Sequence, residues 1–169
     1  LNAPIRHPLK QNEPKFWDEN DLNQELARVY DICHTCRRCV SLCNAFPTLF
    51  DLIDESETME VDGVDVADYK KVADQCYLCD LCYLSKCPYV PPHEWDVDFP
   101  HLMLRTKAIN FKKGESKFRD NLITSTDMIG KTLSLPIINS VANTAKKDPT
   151  TRKLIDKALG IHKDAALPD

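Results

Sequence analysis

Apolar residues first recur at helical spacing in Leu22, Leu26 and Val29. Asp21 stands where a cap would, so a helix is predicted that runs to Ile32 and delivers the chain into Cys33. Phe46, Leu49, Phe50 and Ile53 repeat the pattern, and residues 67–75 suit another helix. Neither flank of these segments sustains the period-two alternation of a half-buried strand, so the pattern predicts an all-α fold. Further on, Pro88, Pro91, Pro92, Trp95, Phe99 and Pro100 make a stretch too rigid and aromatic for a plain linker. It is expected to wrap the core. Helical material is then predicted over 102–113 before Gly114 and over 116–135, with a weak point at Gly130 and a break at Pro136. Asp148 and Pro149 read as cap and first residue of a last helix, with Leu154, Ile155, Ala158 and Leu159 as its buried stripe and Gly160 as its stop. At the other end, Pro4, Pro8 and Pro14 argue for an extended arm. The organisation predicted is an arm over 1–20, a central domain over 21–100 and a helical C-terminal extension over 101–169.

Composition alters this picture little. The chain has 169 residues, 43% hydrophobic and 28% charged, which suits one compact domain with an extension despite eleven prolines. A formal charge of -4 gives no general attraction for phosphate backbones, so nucleic acid is not expected as a partner. No run approaches the ~18 apolar residues of a membrane helix. The chain therefore reads as cytoplasmic, with membrane association at most peripheral. Its start at Leu1 rather than Met reads as a processed or partial product.

Charge is unevenly spread. Between Asp51 and Asp68 lie eight acids and no Lys or Arg. Aligning Asp62-Gly63 with a calcium loop puts Thr58 and Tyr69 where its first and last acidic ligands belong, so the match fails and a solvated acidic loop is expected. From Arg105 to Arg119 there are six bases against Glu115 alone. That stretch is read as a solvated helix face, with an acidic protein partner as the functional alternative.

The cysteines carry the chemistry. All eight lie between Cys33 and Cys87 in two blocks, Cys33-x2-Cys36-x2-Cys39-x3-Cys43 and Cys76-x2-Cys79-x2-Cys82-x4-Cys87-Pro88. Disulfides fit poorly, because cysteines three apart in a short turn cannot staple distant segments. Zinc takes four ligands, usually from two Cys-x2-Cys knuckles, and the third evenly spaced cysteine of each block is surplus to that. A cubane 4Fe-4S cluster presents several iron corners to one loop, so thiolates at i, i+3 and i+6 can reach three of them. In bacterial two-cluster proteins the fourth ligand comes from the other block. The expected sets are Cys33, Cys36, Cys39 and Cys87 for cluster I, and Cys76, Cys79, Cys82 and Cys43 for cluster II. Crossed ligation would hold two 4Fe-4S clusters close together, as a relay for single electrons.

Around these blocks Val40, Leu42, Phe46, Tyr77, Leu78, Leu81, Tyr83, Leu84 and Tyr89 are expected to keep water from the sulfurs and lower the potential. Arg37, Arg38 and Lys86 would oppose that if they face the clusters. His34 is read as a loop residue or a donor to a ligand, since eight thiols already complete two clusters. With four glycines the chain has no nucleotide-binding loop, so a flavin or nicotinamide would have to come from a separate protein.

The two cysteine blocks, followed by the stretch from Lys117 to Gly130 (KFRDNLITSTDMIG) and by Arg152 to Ile161 (RKLIDKALGI), resemble the two-cluster iron-sulfur subunits of the heterodisulfide reductase and anaerobic glycerol-3-phosphate dehydrogenase group. The resemblance implies an alpha-helical ferredoxin core that passes electrons between a partner oxidoreductase, carrying a flavin or a cysteine-rich domain, and another donor or acceptor. It implies no substrate site in this chain. Family members often continue into cysteine-rich domains, so the chain reads as a short member or the front of a longer one. It departs from the pattern in the four residues between Cys82 and Cys87 and in Asn44, which follows Cys43 in place of Pro. The readings set against an electron-transfer role are an iron-sulfur sensor or regulatory module, which would need a DNA-binding element not found here, and a zinc-held interaction domain.

Overall fold

The computed structural model describes residues 5–166, in which every regular element is helical and no strand occurs. The all-α expectation holds. The chain divides into two compact units, Leu1–Gly114 and Glu115–Asp169.

Helix α1 (Glu19–Cys36) is longer at both ends than its hydrophobic stripe predicts. Its cap is Asp18, not Asp21: the Asp18 carboxylate accepts from the amides of Asn20 and Asp21 at 2.9 and 3.2 Å. Asp21 instead sits in the first turn, where a carboxylate also suits the positive end of the helix dipole. The buried face is Leu22, Leu26, Val29 and Tyr30. Helix α2 (Ala45–Asp54) follows the predicted spacing and buries Ala45, Phe46, Leu49, Phe50 and Ile53. A single-turn 3-10 helix, Val66–Asp68, leads into α3 (Tyr69–Asp74), which buries Tyr69, Val72 and Ala73. Helix α4 (Phe99–Lys112) begins earlier than predicted, because Pro100 at its first turn gives up no hydrogen bond and Asp98 caps it through the amide of His101 at 3.0 Å.

These four helices close one core. Tyr30, fully buried, meets the ring of Tyr69 edge-on at 5.2 Å and donates its hydroxyl to the Tyr69 carbonyl at 3.2 Å. Phe46 stacks on Phe99 at 4.8 Å. Among the described residues no buried side-chain polar atom lacks a partner.

Pro4 lies outside the described residues. The arm from Ile5 carries no regular element until a 3-10 turn at Pro14–Trp17. Arg105 of α4 donates to the carbonyls of Phe16 (2.7 Å), Lys15 (2.6 Å) and Asp18 (3.1 Å) and pairs with Asp21 at 3.0 Å. Lys112 lies over the Trp17 ring at 4.2 Å and Lys113 reaches Glu19 at 2.9 Å. Half of the basic run over 105–119 is therefore a structural seam rather than a solvated face.

In the second unit, α5 (Phe118–Thr124), α6 (Thr126–Leu133), α7 (Pro136–Ala145) and α8 (Pro149–Leu159) follow in order. The chain breaks at Ser125 and not at Gly130, which lies inside α6; Pro136 opens a helix as well as ending one. Helix α8 has the predicted ends, with Asp148 accepting from the Thr151 amide at 2.8 Å and Gly160 left-handed at φ 65°. Its predicted stripe differs: Leu154 and Ala158 are exposed, Ile155 and Leu159 half-buried, and Arg152 buried. The Arg152 guanidinium donates to the carbonyls of His162, Lys163 and Ala165, folding the following loop back on the helix.

Candidate metal centre

Helix α1 ends in the first cysteine block. Cys33 and Cys36, three apart on its last turn, lie on one helical face. Arg37 then adopts a left-handed conformation, φ 48°, and stops the helix with its amide bonded to the Cys33 carbonyl at 2.8 Å. A non-glycine residue is strained there and needs an outside hold. Two contacts supply it: the guanidinium pairs with Asp54 of α2, and it lies over the Phe50 ring at 5.1 Å. Turns closed by Val40 on Arg37 (3.2 Å) and Leu42 on Cys39 (2.9 Å) bring the chain round through Cys39 to Cys43.

The second block starts just after α3 and contains two left-handed residues, Leu78 (φ 56°) and Asp80 (φ 61°), one on each side of Cys79. From Cys82 to Lys86 the chain forms a π-type turn, closed by the Cys87 amide on the Cys82 carbonyl at 2.8 Å. The wider ring takes up the extra residue that separates Cys82 from Cys87, beyond the spacing of Cys39 and Cys43.

All eight thiols are free, and they gather in space across the two blocks. Cys33, Cys36, Cys39 and Cys87 line one apolar cavity with Ile32, Phe46, Phe50 and Val97. Cys43 is an electrostatic neighbour of both Cys76 and Cys82, and Cys76 of Cys79. The groups adjoin, since Cys39 also bears on Cys82 and on Cys43. Burial, reinforced by neighbouring thiols, pushes Cys33 far above the ordinary thiol value, Cys39 up to about 11 and Cys82 up to about 12. Burial likewise raises Cys76 and Cys87, against backbone amide bonds from Leu78 and Tyr89 that favour their thiolates. Soft thiol donors, crowded so that their ionised forms repel one another, suit a cationic metal group that takes up the charge. Among the described residues no three Cys, His, Asp or Glu side chains converge on a point that a single ion could fill. A cubane asks for a different arrangement, one thiolate at each of four corners.

The surroundings divide the predicted apolar residues. Phe46 and Tyr83 are buried and Leu42 and Tyr89 half-buried, but Val40, Tyr77, Leu78, Leu81 and Leu84 point outward, Tyr77 being 74% exposed. Cys79 is exposed among them. The four thiols of the first group are half-buried, whereas the second group spans the range from buried Cys76 and Cys82 to exposed Cys79. Arg38 bears on Cys87 and Lys86 on Cys39, each favouring the thiolate, whereas Arg37 is turned away to Asp54. His34 is on the helix rather than in a loop. Its Nδ1 accepts from the Arg37 guanidinium at 2.8 Å, which leaves the remaining ring proton on Nε2. Sequence reasoning did not find Lys107, whose charge favours the Cys76 thiolate, nor the pairing of the Tyr89 hydroxyl with Cys36, whose thiolate raises the Tyr89 phenol above its ordinary value. Neither has a local signal, since the chain brings each to its cysteine from a distant element.

Fold and site together define a helical, cysteine-rich chain with two adjoining thiol groups. Over 88 residues, 52% of its length, it is 30% identical to citrate utilization protein B of Escherichia coli. The match spans 21% of that protein, so the chain covers about a fifth of the relative's length. No family model and no solved structure matches it. Among the described residues no helix is long and apolar enough to cross a membrane.

Proposed function

We propose that this chain is an electron-transfer component of an oxidoreductase, of the kind represented by the iron-sulfur subunits of the heterodisulfide reductase and anaerobic glycerol-3-phosphate dehydrogenase group, and that it holds two 4Fe-4S clusters. Cys33, Cys36, Cys39 and Cys87 hold one, and Cys76, Cys79, Cys82 and Cys43 the other. When bound, such clusters supply one-electron reduction and reoxidation without proton transfer. The observation that supports the reading is that the blocks interleave: Cys87 shares one cavity with Cys33, Cys36 and Cys39, Cys82 lines another with Cys33, Cys39 and Cys87, and Cys43 neighbours Cys76 and Cys82 as well as Cys39. Two short blocks that exchange one cysteine each are what paired cubanes require and what two independent zinc knuckles do not.

The residues set the properties of each site. Phe46, Phe50 and Val97 keep water from the first, which disfavours added negative charge and lowers its potential. Lys107 and the exposure of Cys79 favour reduction at the second. A redox partner bearing a flavin or a cysteine-rich domain meets the surface at Cys79, where Tyr77, Leu78 and Leu81 offer apolar contact.

Purified without oxygen, the protein is expected to be brown, to carry about eight irons by the thiol count, and to bleach on reduction. Cys36→Ala should remove one of the two reduced-state paramagnetic signals and destabilise the core, while His34→Ala keeps both. Colourless protein with two zincs, or loss of a cluster from the histidine variant, overturns the reading.

A further inference from the structure

Arg6 is the first charged side chain of the arm, far along the chain from the second cysteine block, and it makes the densest polar contact in the arm. Its Nη1 and Nη2 donate to Asp80 at 2.8 and 3.0 Å, and its Nε and Nη2 donate to Asp98 at 2.8 and 2.9 Å. The guanidinium lies 4.5 Å from the centre of the Tyr83 ring, and the Tyr83 hydroxyl donates to the Ile5 carbonyl at 3.3 Å. Each partner is placed to matter. Asp80 is the left-handed residue between Cys79 and Cys82. Asp98 caps α4 and bears on Cys87. Tyr83 follows Cys82 in the π-type turn.

One cation therefore spans two carboxylates that would otherwise repel each other across the gap between the cysteine loop and α4. Paired guanidinium-carboxylate forks fix orientation as well as charge. The strained backbone at Asp80 gains from them an outside hold on its side chain. The electrostatic consequence is direct: adding an electron beside two uncompensated carboxylates is harder than adding it beside carboxylates already paired.

We propose that Arg6 is the positioning residue of the second thiol group: it fastens the Cys79–Cys82 loop to the start of α4 and, by pairing Asp80 and Asp98, raises the reduction potential of the cluster held there. This rests on the two-cluster reading above.

The test uses the full chain loaded without oxygen, with dithionite as the one-electron donor and paramagnetic resonance following each cluster; Cys36→Ala assigns the signals. Arg6→Gln is expected to load both clusters and to lower the reduced-to-oxidised ratio of the second at least tenfold at fixed ambient potential, ~59 mV for a one-electron couple. The first cluster feels the change through Asp98, which bears on Cys87, and shifts in the same direction. Adding Asp80→Asn to Arg6→Gln removes one orphaned carboxylate and should return most of the shift. Arg6→Gln with wild-type potentials, or a shift that Asp80→Asn does not reverse, overturns the proposal. Should Arg6→Gln take up four irons, the surviving signal must be the one that Cys36→Ala abolishes; survival of the other is equally fatal. A wild-type chain that takes up no iron defeats the two-cluster reading instead, so the two failures are told apart.

Discussion

Arg105 shows how one side chain can hold several backbone segments at once. It is 12% exposed and satisfies three carbonyls of the Pro14–Trp17 turn and the α1 cap, besides the Asp21 carboxylate. Arg105→Ala strands these acceptors and is expected to cost about 2–3 kcal/mol, read as a lower denaturant midpoint with Trp17 fluorescence following the turn. The effect should depend on pH. Burial alone would raise the Asp21 carboxyl, but hydrogen bonds from Arg105 and Lys15 outweigh it and hold the group below the ordinary carboxylate value. A depressed carboxyl contributes fully above its unfolded value and is lost as pH falls through its folded one. The gap between wild type and Arg105→Ala should therefore narrow below about pH 4. At this scale the sequence is unevenly legible. The cysteines announce themselves by spacing, and the thiol count alone argues against His34 as a ligand. The partners of Arg105, Arg6 and Tyr89 are not legible, because each lies across a tertiary contact that no local pattern encodes.

Elements are easier to read where apolar spacing and end signals agree. Helix α2 appears where Phe46, Leu49, Phe50 and Ile53 place it, and α8 has both its Asp-Pro start and its glycine stop. The structure departs from the pattern where two signals compete. Asp18 and Asp21 are both good caps, and Asp18 wins because Arg105 holds its carbonyl while drawing Asp21 into the first turn. Asp18→Ala should cost about 1 kcal/mol, seen as a lower melting temperature, with exchange of the amides of Asn20 and Asp21 accelerated and those of the cysteine end unchanged. Between α5 and α6 the glycine is the obvious weak point, yet the break falls at Ser125, whose hydroxyl turns back to the Asn121 carbonyl at 2.6 Å. A serine that bonds the preceding turn competes with the helix, which Gly130 does not. The π-type turn at Cys82 cannot be foreseen as a shape, although the unequal spacing of the two blocks marks its position.

At the scale of the whole molecule, α1 joins packing to chemistry: one face fills the core with Leu26 and Tyr30 and its last turn presents Cys33 and Cys36. The two thiol groups then differ, the first half-buried throughout beside Phe46, Phe50 and Val97, the second buried at Cys76 and Cys82 but exposed at Cys79. That asymmetry is not visible in two blocks of nearly equal spacing. It also sets an order of decay. Sulfur chemistry follows access, so whatever lets a partner approach Cys79 closely admits dioxygen and peroxide by the same door. If the two thiol groups hold clusters as proposed, the signal of the one reached at Cys79 is expected to fade first in aerated buffer, and equal loss of both would speak against that order. On that footing the protein's working edge is also its shortest-lived part, and a docked partner would act as its preservative.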